Sequence, residues 1–172
     1  KGTTEVDAAF LQEIEQWREL LARNIALRNP SLTQRELNYA VQQTIDRIVF
    51  LRICEDRGIE TYGSLMALQN GQHVYQRLFQ LFNKADDKYN SGLFHFMKVA
   101  DCSEAPDTVT PGLVVDDRVF KPILQSLYFE HGSPYEFKVL PVEILGTVYE
   151  RFLGKVIRLT PAHQAKIEEK PE

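Results

Sequence analysis

The chain has 172 residues, with 44% apolar and 26% charged residues, a net charge of −4 and a pI of about 5.6. That balance excludes a largely disordered chain and fits one sizeable core rather than two. It also excludes a free-standing nucleic-acid binder of the strongly basic kind, because phosphate neutralisation supplies most of the affinity in such proteins.

The first helix is expected over about 7–28. Phe10, Ile14, Trp17, Leu21 and Ile25 recur at steps of three and four and make one apolar stripe. Asp7 suits an N-cap, and Asn29-Pro30 ends the helix because the residue before proline avoids the α region. Thr33-Gln34-Arg35-Glu36 spells a capping box, opening a second helix that stops at Gly58. Its half from Ile45 to Cys54 is apolar nearly all round, as in a helix buried on several sides. Arg52 interrupts the longest apolar run, Ile48 to Leu51, and needs a carboxylate partner, whether nearby Glu55 or Asp56 or a distant one.

A short helix is predicted over 63–69 and another over 72–84. Residues 85–116 are turn-rich, with Leu93, Phe94 and Phe96 as anchors to the core. Asp117 is predicted to cap a helix running to about 129, starting slightly late because of Pro122. A last long helix is expected over 141–156. Thr160-Pro161 then reads as the start of a charged tail helix or linker. The fold expected is all-α: a multi-helix bundle around a central buried helix (about 33–57), with an irregular loop-rich insert at about 85–116. The domain would span 1–160, with 161–172 as tail, the polar end suggesting a cut inside a linker.

No residue declares itself catalytic, cofactor-binding or metal-ligating. His73, His95, His131 and His163 never fall at helical metal-pair spacing, and the nine glycines form no phosphate loop. Cys54 and Cys102 make no CxxC pair and suit a reducing compartment. With no apolar stretch of membrane-spanning length and no leader pattern, the expected location is the cytoplasm. Pro106-Asp107 followed by Glu136-Phe137-Lys138 spells the PD…ExK string of metal-dependent nucleases. That chemistry needs its acidic residues on adjoining strands around Mg²⁺, whereas here the pattern predicts solvated loop carboxylates. Arg151, Lys155 and Arg158 share one face of the expected last helix. They are either a stripe contacting DNA phosphates or a solvated basic flank.

Three stretches, Asp46–Gly58, Tyr89–Phe94 and Leu140–Gly154, together resemble the helical connector of type II restriction–modification enzymes that fuse an endonuclease and an adenine-specific DNA methyltransferase. The resemblance covers about residues 10–160. It implies a non-catalytic spacer that positions nuclease and methyltransferase on DNA, with those flanking domains and DNA as partners. S-adenosylmethionine and Mg²⁺ would then belong to the flanking domains, since this sequence lacks the Asn-Pro-Pro-Tyr motif of the methyltransferase. It also implies a charged network of Arg47, Arg52, Glu55, Asp56 and Arg57 locking the central helix, with Tyr149, Glu150 and Phe152 fixing the last helix against it. A helical protein–protein interaction module of a regulatory protein is the alternative, and a PD…ExK nuclease the third reading.

Overall fold

A computed structural model describes residues 5–89, 93–97, 105–128 and 155–169. Five helices lie among them: α1 (Glu5–Arg28), α2 (Gln34–Asp56), α3 (Ser64–Ala67), α4 (Val74–Tyr89) and α5 (Asp117–Gln125). A two-stranded antiparallel sheet, β1 (Lys155–Leu159) and β2 (Ala165–Glu169), completes them. The expected helical architecture is therefore present, with one small sheet added.

The predicted stripe of α1 is the stripe it buries: Phe10, Ile14, Trp17, Leu21 and Ile25 are each at most 3% exposed. The helix begins at Glu5, so Asp7 lies in its first turn instead of capping it. Thr33 and Glu36 form the capping box as read: the Glu36 amide donates to Thr33 Oγ1 and the Thr33 amide to Glu36 Oε1. At the other end Gly58 takes a φ of +75°, a region that costs a side-chain-bearing residue energy. Between these caps α2 packs against α1, α3 and β1 and buries residues on every side, from Leu37 to Glu55. Leu93 and Phe96 are half-buried against this core, while Phe94 is fully buried beside Phe82 and Phe50.

The second half of the chain departs from expectation in several places. The helix α4 runs on to Tyr89, five residues into the stretch expected to be turn-rich, and α5 ends at Gln125 rather than near 129. Asp116, not Asp117, stands at the N-cap of α5, and the helix starts at Asp117, not later. Asp117 instead accepts the backbone N–H groups of His73 and Val74, capping the start of α4 across the fold. His73, whose amide Asp117 holds, takes a left-handed φ of 57° just ahead of that helix.

Residues 155–156 are a strand, not the end of a helix, and 165–169 form the second strand, not a tail helix. The physical reason is the short-range pattern Val156-Ile157-Arg158-Leu159. The β-branched pair Val156-Ile157 and the apolar–polar–apolar order of Ile157, Arg158 and Leu159 favour an extended chain. Thr160-Pro161 opens the connecting turn, in which the Thr160 amide donates to Gln164 O and the Gln164 amide to Thr160 Oγ1. The rest of the expected last helix, with Tyr149, Glu150 and Phe152, lies outside the described residues, as does Cys102.

Candidate functional site

Two arginines dominate the interior. Arg47 and Arg52 are 1% and 2% exposed, and both sit on α2 in the core. A guanidinium placed there must have its donors met, or the cost runs to several kcal/mol.

Arg47 meets its donors with the insert. Its Nε donates to Leu93 O at 2.8 Å and its Nη1 to Thr110 Oγ1 at 2.9 Å, while Nη2 pairs with Asp107 Oδ2 at 2.9 Å. Phe96 stacks beneath it with the ring centre 4.8 Å from the guanidinium carbon. Asp107 is therefore buried, not the solvated loop carboxylate its sequence context predicts. Its Oδ1 accepts the amides of Val109 and Thr110 at 2.9 Å each, and its Oδ2 also accepts the Thr110 hydroxyl. The Asp107 amide in turn donates to His95 O at 2.7 Å. Tyr75 donates its hydroxyl to Thr110 O, and burial pushes its phenol well above the usual range. Every side-chain oxygen of Asp107 is thus committed to protein donors, which leaves none for Mg²⁺. Glu136 and Lys138, the other members of the nuclease string, lie outside the described residues. Among the described residues, no three His, Cys, Asp or Glu side chains gather as metal ligands.

Arg52 performs the same task on the opposite half. Its Nε donates to Leu127 O at 2.9 Å, and its Nη1 pairs with Asp56 one turn later. Tyr128 lies 4.4 Å and Tyr62 5.1 Å from its guanidinium carbon. The partner of Arg52 is thus the nearby Asp56, one of the two candidates in its own helix.

Glu55 faces elsewhere. It accepts the Tyr128 hydroxyl at 2.6 Å and the amides of Gly63 and Leu65, anchoring α3. Burial and that carboxylate together raise the Tyr128 phenol pKa. Arg57 is exposed at the helix C-cap. Arg47, Arg52, Glu55 and Asp56 thus tie α2 to three separate regions of the chain, and only Arg52 and Asp56 among them pair with each other.

The basic triad does not form one helical face. Lys155 and Arg158 lie three residues apart on β1, so their side chains project from opposite faces of the sheet. Lys155 Nζ is 3.5 Å from Glu15 Oε1. Arg158 grips Glu168 with Nε and Nη2, at 2.8 and 3.0 Å, and this pairing raises the Arg158 pKa and lowers that of Glu168. Arg151 lies outside the described residues.

Sequence reasoning missed a further set of groups, which holds the hairpin. Asn38 on α2 donates to Ile157 O at 2.7 Å and accepts the Ile157 amide at 3.0 Å, standing in for a neighbouring strand. Gln34 accepts the Leu159 amide, and Arg18, buried on α1, donates to Lys155 O. Only the knowledge that 155–159 is a strand gives these polar residues a meaning, so nothing in their own sequence context points to them.

No protein-family model matches the chain, and no solved structure matches it. Among curated proteins, the type II restriction enzyme and methyltransferase RM.Eco57I of Escherichia coli is 36% identical over 168 residues. The match takes in 97% of this chain but only 16% of that enzyme's length. The resemblance carried by three short stretches thus extends along almost the whole chain, which is similar to one segment of a fused type II restriction–modification enzyme.

Proposed function

We propose that this chain is a rigid helical connector of a restriction–modification enzyme, holding a nuclease domain and an adenine-specific DNA methyltransferase domain in a fixed relation on DNA. The observation that carries this reading is the match of nearly the full chain to a segment of an enzyme that is both restriction enzyme and methyltransferase. The interior supports it, because the ionisable side chains buried on α2 bind backbone and neighbouring side chains of the same chain. In this reading Mg²⁺ and S-adenosylmethionine are bound by the flanking domains, and this segment supplies no catalytic group. A cytoplasmic setting goes with it; no helix among the described residues is long and apolar enough to cross a membrane.

The segment's own share in DNA binding is a backbone contact from the hairpin. Arg158 is the better placed of the two described cations, since its side chain is 40% exposed on the outer face of β1. Lys155 lies on the face that packs toward α1. Arg151 completes the proposed contact set.

The test uses the full-length protein. Arg52→Ala, which loosens the connector, is expected to slow DNA cleavage and adenine methylation together while S-adenosylmethionine still binds. Loss of one activity alone, at unchanged melting temperature, would put a catalytic residue in this chain and sink the reading. Arg158→Ala is expected to weaken DNA binding and to lower the slope of log K against log salt by about 1.

A further inference from the structure

The hairpin has two edges, and the fold treats them differently. In an antiparallel pair, alternate residues turn their N–H and C=O groups toward the partner strand or away from it. The Asn38 bonds show that Ile157 turns away from β2. Its register partner Ile167 must then turn away from β1, and so must Ala165 and Glu169, opposite Leu159 and Lys155. On β1 the outward groups are sealed by side chains: Arg18 on Lys155 O, Asn38 on Ile157, Gln34 on the Leu159 amide. On β2 the outward N–H and C=O groups of Ala165, Ile167 and Glu169 find no partner among the described residues.

Such an open edge invites strand addition. Beside this edge the surface is concave. A cavity of about 420 Å³ opens between α1 and β2, walled by Gln12, Gln16, Glu19 and Arg23 on one side and by Ala165 and Ile167 on the other. A second, of about 530 Å³, continues past Arg23 to Leu27 and Pro30 and shares Ala165. Leu27 is 60% exposed there. From Gln12 to Leu27 the trough therefore follows α1 for some 15 residues, roughly 22 Å at the helical rise. That is ample for a five-residue strand of roughly 17 Å.

We infer that the outer edge of β2 is a docking site for an extended segment of the same polypeptide, added as the third strand of this sheet. The inference rests on the connector reading, in which a longer polypeptide surrounds the segment. The relative is long enough to supply such a strand many times over, since the matched stretch is 16% of it. The chemistry of the trough describes the occupant: polar side chains over Gln12 and Gln16 and an apolar one over Leu27.

The test is amide hydrogen exchange on the full-length protein, read at Ala165, Ile167 and Glu169. These amides are expected to exchange within about tenfold of the ladder amides of Arg158 and Lys166. Ala165→Pro removes one outward N–H and leaves the β1–β2 ladder intact. It is expected to speed exchange at Ile167 and Glu169 at least about tenfold, with Arg158 unchanged. Exchange at open-chain rates at the three edge amides, with the ladder slow, would overturn the inference. So would protection that rises with protein concentration, which would make a second copy the occupant. Protected edge amides in a full-length protein that neither cleaves nor methylates DNA would leave this inference standing and remove the connector function instead.

Discussion

Asp107→Ala separates a structural carboxylate from a metal ligand. In the wild type the Arg47–Asp107 pair is 2.9 Å apart, with side-chain exposures of 1% and 2%. Removing the carboxylate leaves the guanidinium buried with Leu93 O and Thr110 Oγ1 but no counter-charge, and it strands the Val109 and Thr110 amides. Breaking a buried pair from one side typically costs about 3–5 kcal/mol. In a domain of this size each kcal/mol lowers Tm by roughly 2–4 °C, so a fall of about 6–20 °C is expected. Scanning calorimetry or urea unfolding reads it directly. Removing both charges, with Arg47→Met and Asp107→Ala together, is expected to cost less than the sum of the two single changes, because neither charge is then left alone. A loss below about 1 kcal/mol, the scale of an exposed ion pair, would refute this reasoning. Abolished DNA cleavage at unchanged Tm would restore Asp107 as a metal ligand.

Arg52→Ala is expected to destabilise by about 3–5 kcal/mol in urea unfolding, since it removes a buried guanidinium that bonds both Leu127 O and Asp56. Arg52→Lys will not restore the loss, because an ammonium cannot bond Leu127 O and Asp56 while lying flat on Tyr128. Asn38→Ala removes two hydrogen bonds to Ile157; a cost of about 1–3 kcal/mol is expected, with faster exchange of the Ile157 amide and little change in the centre of α2. Acid titration tests Asp116, whose carboxyl is held below its usual range by hydrogen bonds from Arg28 and Asn24. Its folded pKa lies below the unfolded one, so its contribution is present above roughly pH 3.9 and is lost as the pH falls through the folded value. Asp116→Asn should flatten that part of the stability–pH curve; an unchanged curve would contradict the assignment.

The parts of the fold that were legible in the sequence are those set by local rules. The stripe of α1, the capping box at Thr33 and the Gly58 stop each depend on residues within a turn or two of each other. The all-round apolar run of α2 correctly announced a central helix, and Arg52 within it correctly demanded a carboxylate. What local reading missed was set from far away. Asp107 lies in a polar stretch of sequence, yet it is buried because Arg47, sixty residues earlier, needs it. Asp117 looks like the cap of the helix it begins, but it serves α4. The helical spacing of Lys155 and Arg158 was a coincidence of three residues, outweighed by a β-branched pair and by the polar groups of α1 and α2 that receive β1.

The grip of Arg47 has an evolutionary consequence. Leu93, His95, Asp107 and Thr110 are brought together at one point: Arg47 takes Leu93 O, Thr110 Oγ1 and Asp107, and Asp107 donates its amide to His95 O. The three-residue step from Asp107 to Thr110 cannot change length without undoing this knot, because Asp107 Oδ1 accepts the Val109 and Thr110 amides while its Oδ2 takes the Thr110 hydroxyl and Arg47. Related sequences should therefore keep that spacing even where other stretches vary in length.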